Sequence, residues 1–176
     1  MHTCSRRSFL CALAATPVVA PRHLFAATAP VRALRFAHTH TGEHLSIEYF
    51  SGGTYLPEAL TTVNQFLRDF RTGDVHEIDP ALLDLLHGLA RQTQTSHLFQ
   101  VISGYRSPAT NEMLRHRSEG VAAGSLHMKG QAIDIRLADV ALPKLRLAAI
   151  DARRGGVGFY PASDFVHVDT GRVRMW

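Results

Sequence analysis

The first 29 residues constrain the rest of the chain more than any other feature, because they take both cysteines with them. They hold Cys4, Cys11, three arginines (Arg6, Arg7 and Arg22) and no acid, and an apolar run from Phe9 to Ala20 leads to the small residues Ala27, Thr28 and Ala29. A charged start, an apolar middle and a small-residue end make a cleavable export signal. The run spans about a dozen residues, short of the roughly 20 that a helix needs to cross a bilayer. A buried helix is the alternative, and Pro17 and Pro21 would interrupt it. Leu10 stands where a lipoprotein signal would have a small residue, which argues against a lipid anchor at Cys11. The chain expected after cleavage, residues 30–176, has 147 residues and no cysteine. Disulfides cannot hold it, so an apolar core, with or without a metal, must do so.

The basic character leaves with the signal. The full sequence has 19 Lys+Arg against 15 Asp+Glu, and setting aside the three leader arginines leaves 16 against 15, a net of +1. A nucleic-acid binder thereby loses its electrostatic support. The run Ser5-Arg6-Arg7-Ser8-Phe9-Leu10 resembles the twin-arginine export signal, whose paired arginines are read by a receptor. Such a signal carries proteins that are already folded, so a metal could be loaded before export. On this reading, residues 30–176 form a single periplasmic domain, a monomer with no membrane anchor after cleavage. With 45% hydrophobic and 19% charged residues the chain can bury a core. Nine of the 11 histidines lie beyond residue 29, so metal chemistry is to be sought among histidines and carboxylates.

Periodicity sketches the domain. Leu34, Phe36 and His38 alternate with polar residues, as do Leu45, Ile47 and Tyr49 after the turn Thr41-Gly42-Glu43, which predicts a β-hairpin over 31–50. Pro57 opens a helix predicted to run to Phe70 on the stripe Leu60, Val63, Phe66, Leu67 and Phe70. Asp79-Pro80 caps a second helix with a broad leucine face from Leu82 to Leu89. A strand is expected at 99–103, a short helix from Ser107-Pro108 to about Arg117, and a loop at 119–124. Further strands are expected at 131–135, 157–160 and 165–169, with a helix from Leu142 to Arg153 between the first two. Helices interspersed with short strands predict an α+β domain built on a small, mainly antiparallel sheet.

Three segments place polar residues where a core would not want them: Ser103 to Pro108, Ser125 to Asp134, and Asp164 to Asp169. His127 and Asp134 are seven apart, roughly 10 Å on a helix and over 20 Å on a strand. They can share an ion at about 2 Å only if the chain bends at Gly130. In the last segment Val166 and Val168 point to one side of a strand, with Phe165, His167 and Asp169 on the other. Two imidazoles and one carboxylate would leave a fourth tetrahedral position for water, the catalytic arrangement of zinc. By spacing alone, a satisfied surface or core histidine competes with this reading. His38, His40 and His44 cluster on the hairpin and read as a solvated polar face, while His76, His87, His97 and His116 have no partner at ligand spacing.

The pattern Ser-x-His-x-x-Gly-x-Ala-x-Asp at Ser125 to Asp134, preceded by Ser-Gly-Tyr-Arg-Ser and followed by Phe-Val-His-Val-Asp, resembles the zinc D-Ala-D-Ala peptidases. Their superfamily also holds lysostaphin-type endopeptidases and the hedgehog signalling domain. The arginine pair, His40-Thr41-Gly42-Glu43, Gly155 to Pro161 and Phe165 to Gly171 are similar to the MepK/YcbK-like murein endopeptidases. The resemblance implies a hedgehog/D-Ala-D-Ala-peptidase-like fold and one zinc on His127, Asp134 and His167. It implies Arg106 near the substrate carbonyl or carboxylate, with a surface ion pair as the plainer alternative. Ser125 would orient the ligand loop, touch substrate or stabilise a turn. Several relatives carry a glutamate base three residues before the last histidine, where this chain has Asp164. Asp169 is the competing base, or else a hydrogen-bond partner of a ligand. The implied activity is hydrolysis of amide bonds in peptidoglycan peptides, by an endopeptidase or a D-Ala-D-Ala carboxypeptidase. A peptidoglycan-binding module that keeps the metal but lacks catalysis is the alternative from another class.

Overall fold

A computed structural model describes residues 30–95, 98–117 and 120–176. The export signal, His97 and part of the 119–124 loop lie outside them. The expected hairpin forms from β1 (Arg32–His38) and β2 (His44–Ser51), paired antiparallel, with the Gly42 amide closing the turn onto the His38 carbonyl at 2.9 Å. Alternation explains its faces: Leu34, Phe36 and Tyr49 are buried, and Leu45 and Ile47 pack against the same core. His38 departs from the expected solvated face. It is 2% exposed and packs edge-on against Phe66 and Phe70, because its position continues the inward set of Leu34 and Phe36.

The burial of His38 gives the fold an acid sensitivity. Burial, followed by the nearby His40, pushes its pKa down to about 4. The unfolded chain, with an ordinary value near 6.5, therefore binds the proton first as pH falls, and stability declines between pH 6.5 and 4. Lowering the pH from 7 to 5 is expected to cost about 2 kcal/mol of unfolding free energy through this group. Urea titrations of the protein and of His38→Phe should show a slope shallower by this amount in the second.

The remaining elements are β3 (Thr54–Tyr55), α1 (Pro57–Phe66), α2 (Pro80–Thr93), β4 (Phe99–Ser103), α3 (Pro108–Arg117), β5 (Ala132–Leu137), α4 (Leu142–Ala152), β6 (Gly156–Tyr160), β7 (Phe165–Asp169) and β8 (Arg174–Met175). One sheet of eight strands results, in the order β3-β2-β1-β4-β5-β7-β6-β8. Its pairs are antiparallel except β1 with β4 and β6 with β8, so the expected mainly antiparallel α+β sheet is present. The two-residue strands β3 and β8 are too short to leave a periodic signal.

One face of the sheet carries the core. Val101, Ile133, Ile135, Val166 and Val168 are fully buried against the leucines of α2 and Leu145 of α4. Each such side chain contributes about 1.5–3 kcal/mol on leaving water. The alternate residues of β5 and β7, Asp134, His167 and Asp169 among them, project from the opposite face.

Helix α1 is shorter than the stripe predicts. It ends at Phe66, and the Leu67 carbonyl accepts from the Tyr105 amide at 2.8 Å instead of continuing the helix. The chain after it folds over the end of β4, where Asp69, 1% exposed, accepts from the Ser107 amide at 2.9 Å and the Ser107 hydroxyl at 2.7 Å. That clamp fixes the segment carrying Gly104 and Arg106.

Candidate metal centre

His127 sits in a 3₁₀ turn, Leu126–Lys129, ended by Gly130 in the left-handed conformation at φ +65°. A Cβ at Gly130 would collide with the Glu77 carbonyl oxygen. Glycine is therefore required twice over, for the backbone angle and for the close approach. The turn returns the chain into β5, so the bend expected at Gly130 is what brings His127 onto Asp134. Gly130→Ala is expected to destabilise the protein by at least about 1–2 kcal/mol, from the left-handed conformation alone. A fall of several degrees in melting temperature would register it.

The three acceptor atoms meet at the floor of a pocket. Nε2 of His127 lies 3.2 Å from Oδ1 of Asp134 and 3.1 Å from Nδ1 of His167, and Nδ1 of His167 lies 2.9 Å from the same oxygen. Sheet register brings the last two together, since Asp134 and His167 are direct partners across β5 and β7. The tautomers follow from the other ring nitrogens. Nδ1 of His127 is 2.7 Å from the Gly104 carbonyl, which can only accept, so that nitrogen carries the hydrogen. Nε2 of His167 is 3.1 Å from a carboxylate oxygen of Asp169 and donates to it. Both inward nitrogens then present lone pairs to each other and to a carboxylate.

A triangle of acceptors calls for a cation. Metal–ligand bonds of about 2.0–2.2 Å at tetrahedral angles separate ligand atoms by roughly 3.3–3.5 Å, within a few tenths of an ångström of the edges here. Electrostatics agree with that reading. Burial pushes His127 down, keeping it neutral as a ligand must be. Burial also opposes the charge on Asp134, but His127 and His167 together hold its carboxyl well below the usual range. Burial likewise lowers His167, yet hydrogen bonds to Asp134 and Asp169 outweigh it and leave the pKa raised. The centre thus favours one positive charge, which a metal can supply in place of a proton.

Asp169 is fully buried and saturated. Besides His167 it accepts from the Gly156 and Gly171 amides at 2.9 Å each, and Arg174 grips both its oxygens at 3.1 and 2.7 Å. Its geometry is that of a residue orienting His167, the second role the sequence allowed it. Asp169→Asn is expected to weaken metal binding about 10–100-fold, the usual cost of losing such a partner. Competition with a chelator would measure it.

Asp164 is not brought to this centre. It sits in a left-handed turn at φ +53°, its side chain is 62% exposed, and its carboxylate pairs with Arg136 at 2.8 Å. It does not line the pocket of about 600 Å³ around the triangle. The spacing to His167 is that of relatives with a glutamate base, but Arg136, two residues beyond Asp134 on the same strand, captures the shorter acid. Arg106, in contrast, reaches the site. It is 9% exposed, with Nη2 3.5 Å from Asp134 Oδ2 and 3.4 Å from the Ser103 hydroxyl, and its buried Nε has no partner among the described residues. Ser125 lines the same pocket, and its hydroxyl does not cap the turn that follows.

Known proteins resemble the chain along most of its length. A family profile described as "Peptidoglycan L,D-endopeptidase MepK" matches residues 26–176. The protein of that name from Escherichia coli (strain K12) is 45% identical over 165 residues, covering 94% of this chain and 91% of the relative. The chain belongs to the MepK family. A "Probable peptidoglycan L,D-endopeptidase MepK" from Haemophilus influenzae is 44% identical over 146 residues, covering 82% of this chain and 78% of the relative.

In this MepK-family chain, His127, Asp134 and His167 form the only candidate metal cluster among the described residues. The hairpin histidines do not make a second one: His40 stacks on Phe70 with ring centroids 4.4 Å apart. His76 stacks on Tyr105, and His116 pairs with Glu112. Sequence reasoning missed Arg174 and the Gly104 carbonyl, which orient the ligands, and Tyr160 and Trp176, which line the pocket. An arginine five residues after Asp169 was the one available signal. The carbonyl left none, since any residue has one.

Proposed function

We propose that the protein is an exported zinc peptidase that hydrolyses L,D amide bonds in peptidoglycan cross-links, and so remodels the cell wall. The observation that carries this reading is the acceptor triangle of His127, Asp134 and His167 at the floor of a pocket, in a chain of a family named for that hydrolysis. Zinc held by those three residues would supply Lewis acidity, which makes water a nucleophile near neutral pH and polarises a carbonyl. Arg106 then lies beside Asp134 with unused N–H groups, placed to receive the charge that develops on the carbonyl oxygen. Ser125 contacts the peptide from the ligand turn. The domain is residues 30–176, delivered to the periplasm by the twin-arginine route as a monomer; among the described residues no helix is long and apolar enough to cross a membrane.

The direct test incubates purified protein and zinc with cross-linked muropeptide dimers, with and without a chelator. Zinc-dependent conversion of dimers to monomers is expected. Failure to convert any dimer would overturn the proposal, and retention on sacculi without product would favour a binding module. Asp164→Ala is expected to leave turnover within about twofold, because its carboxylate serves an exposed ion pair of the kind worth about 0–1 kcal/mol. A hundredfold loss with zinc still bound would restore Asp164 as the base.

A further inference from the structure

Strand order fixes what flanks the metal centre. Along β4-β5-β7-β6, Arg106 follows the first strand, Asp134 and His167 occupy the middle two, and Tyr160 ends the last. Tyr160 lines the same pocket from the side opposite Arg106. Its phenol oxygen receives the indole N–H of Trp176 at 2.7 Å. An indole nitrogen only donates, so this bond uses a lone pair of the phenol and leaves its O–H free. Among the described residues no acceptor is bonded to that O–H.

The phenol is held from two sides, by Phe165 and Trp176. Its ring stacks on Phe165, its direct partner across the β6–β7 pair, with centroids 4.6 Å apart. The Trp176 ring lies 5.2 Å from the His167 ring, tied to β6 by backbone bonds to Val157 and Phe159. Gly158, the partner of His167 in register, makes the room: a Cβ there would come within 2.7 Å of the Trp176 ring and 2.8 Å of the Tyr160 ring. A continuous wall from His167 through Trp176 to Tyr160 results, with one unspent donor at its end.

We propose that the Tyr160 phenol is a catalytic hydrogen-bond donor to the substrate amide on the β6 side of the metal centre, opposite Arg106, with Trp176 positioning it. This rests on the peptidase reading above. The phenol keeps its proton throughout: it donates a hydrogen bond that strengthens as charge builds on the carbonyl oxygen. A carbonyl seated between Tyr160 and Arg106 would have a donor on either side, whereas a purely structural tyrosine would serve only to anchor Trp176.

Tyr160→Phe removes the oxygen and keeps the ring. On muropeptide dimers we expect kcat to fall about 10²–10³-fold, the range for losing one such donor, with KM within threefold and zinc stoichiometry unchanged. A phosphinate dipeptide, whose tetrahedral P–O groups mimic the attacked carbonyl, should bind the zinc-loaded variant about tenfold or more weakly by calorimetry. Trp176→Phe keeps an aromatic ring but loses the indole N–H, and should show a smaller loss in both readouts. Phosphinate affinity within twofold of the parent in Tyr160→Phe would overturn the proposal, as would a loss of zinc parallel to the loss of kcat. If the parent protein cleaves no dimer, the peptidase reading fails by itself. The phosphinate comparison then decides the role of the phenol alone: weaker binding keeps it as a donor, and unchanged binding removes it.

Discussion

Replacing His167 with alanine is expected to leave a folded protein that holds no stoichiometric zinc and has lost turnover by about 10³-fold or more, since the bound ion is asked for several kcal/mol of transition-state stabilisation. His167 would supply one of three donors, and its inward Nδ1 lies within 3.1 Å of the inward atoms of both His127 and Asp134. Its removal leaves His127 and Asp134, a two-point site. The fold should survive, because the neighbours of His167 keep other partners: Asp169 retains Arg174 and the Gly156 and Gly171 amides, and His127 retains the Gly104 carbonyl. Metal analysis beside circular dichroism separates the two effects. A variant that still binds one zinc per chain would refute the ligand assignment, and with it every step that depends on that assignment. A variant that is unfolded would instead be answered by Asp134→Asn, which keeps the shape of the side chain and removes its charge.

The acceptor triangle was legible in the sequence because each of its residues lies in a pattern with a physical meaning. The strand alternation that buries Val166 and Val168 must send His167 and Asp169 the other way, and Gly130 marks the only bend that could bring His127 back to Asp134. What the sequence concealed depends on register and on partners from afar. Alternation put His38 on the inward side of the hairpin with Leu34 and Phe36, but what seals it there, Phe66 and Phe70, arrives from beyond the hairpin. Asp164 matched a spacing, but its partner Arg136 comes from a strand 28 residues away. Helix α1 was overextended for a similar reason: Leu67 and Phe70 fit its apolar stripe, but the Leu67 carbonyl is taken by Tyr105 across the fold. Local periodicity reports which face is apolar, and it is silent on who claims a carbonyl or a carboxylate.

Arg106→Ala should separate binding of the metal from its use. Burial pushes the guanidinium pKa down, but arginine stays charged in any accessible range, so the site holds a permanent buried cation next to an acidic ligand. Its contacts with Asp134 and Ser103 are long, 3.5 and 3.4 Å, and its buried Nε has none among the described residues. A structural ion pair would grip its acid through two nitrogens at short range, as Arg174 does on Asp169 at 3.1 and 2.7 Å. Long, weak contacts on a guanidinium that lines the pocket leave Nη2 able to turn to an oxygen that gains charge during the reaction. Truncation is therefore expected to cost about 10²–10³ in kcat, the range for removing an oxyanion donor. Zinc content should hold or tighten, because Asp134 loses a neighbouring cation that competes for its charge. Arg106→Lys should recover little, since an ammonium on a shorter stem cannot present two N–H groups in one plane. Turnover of Arg106→Ala within threefold of the parent, with zinc bound, would reduce Arg106 to a partner of Asp134. A rise in KM at constant kcat would place it on a substrate carboxylate instead, where it would act on the bound peptide before any charge develops.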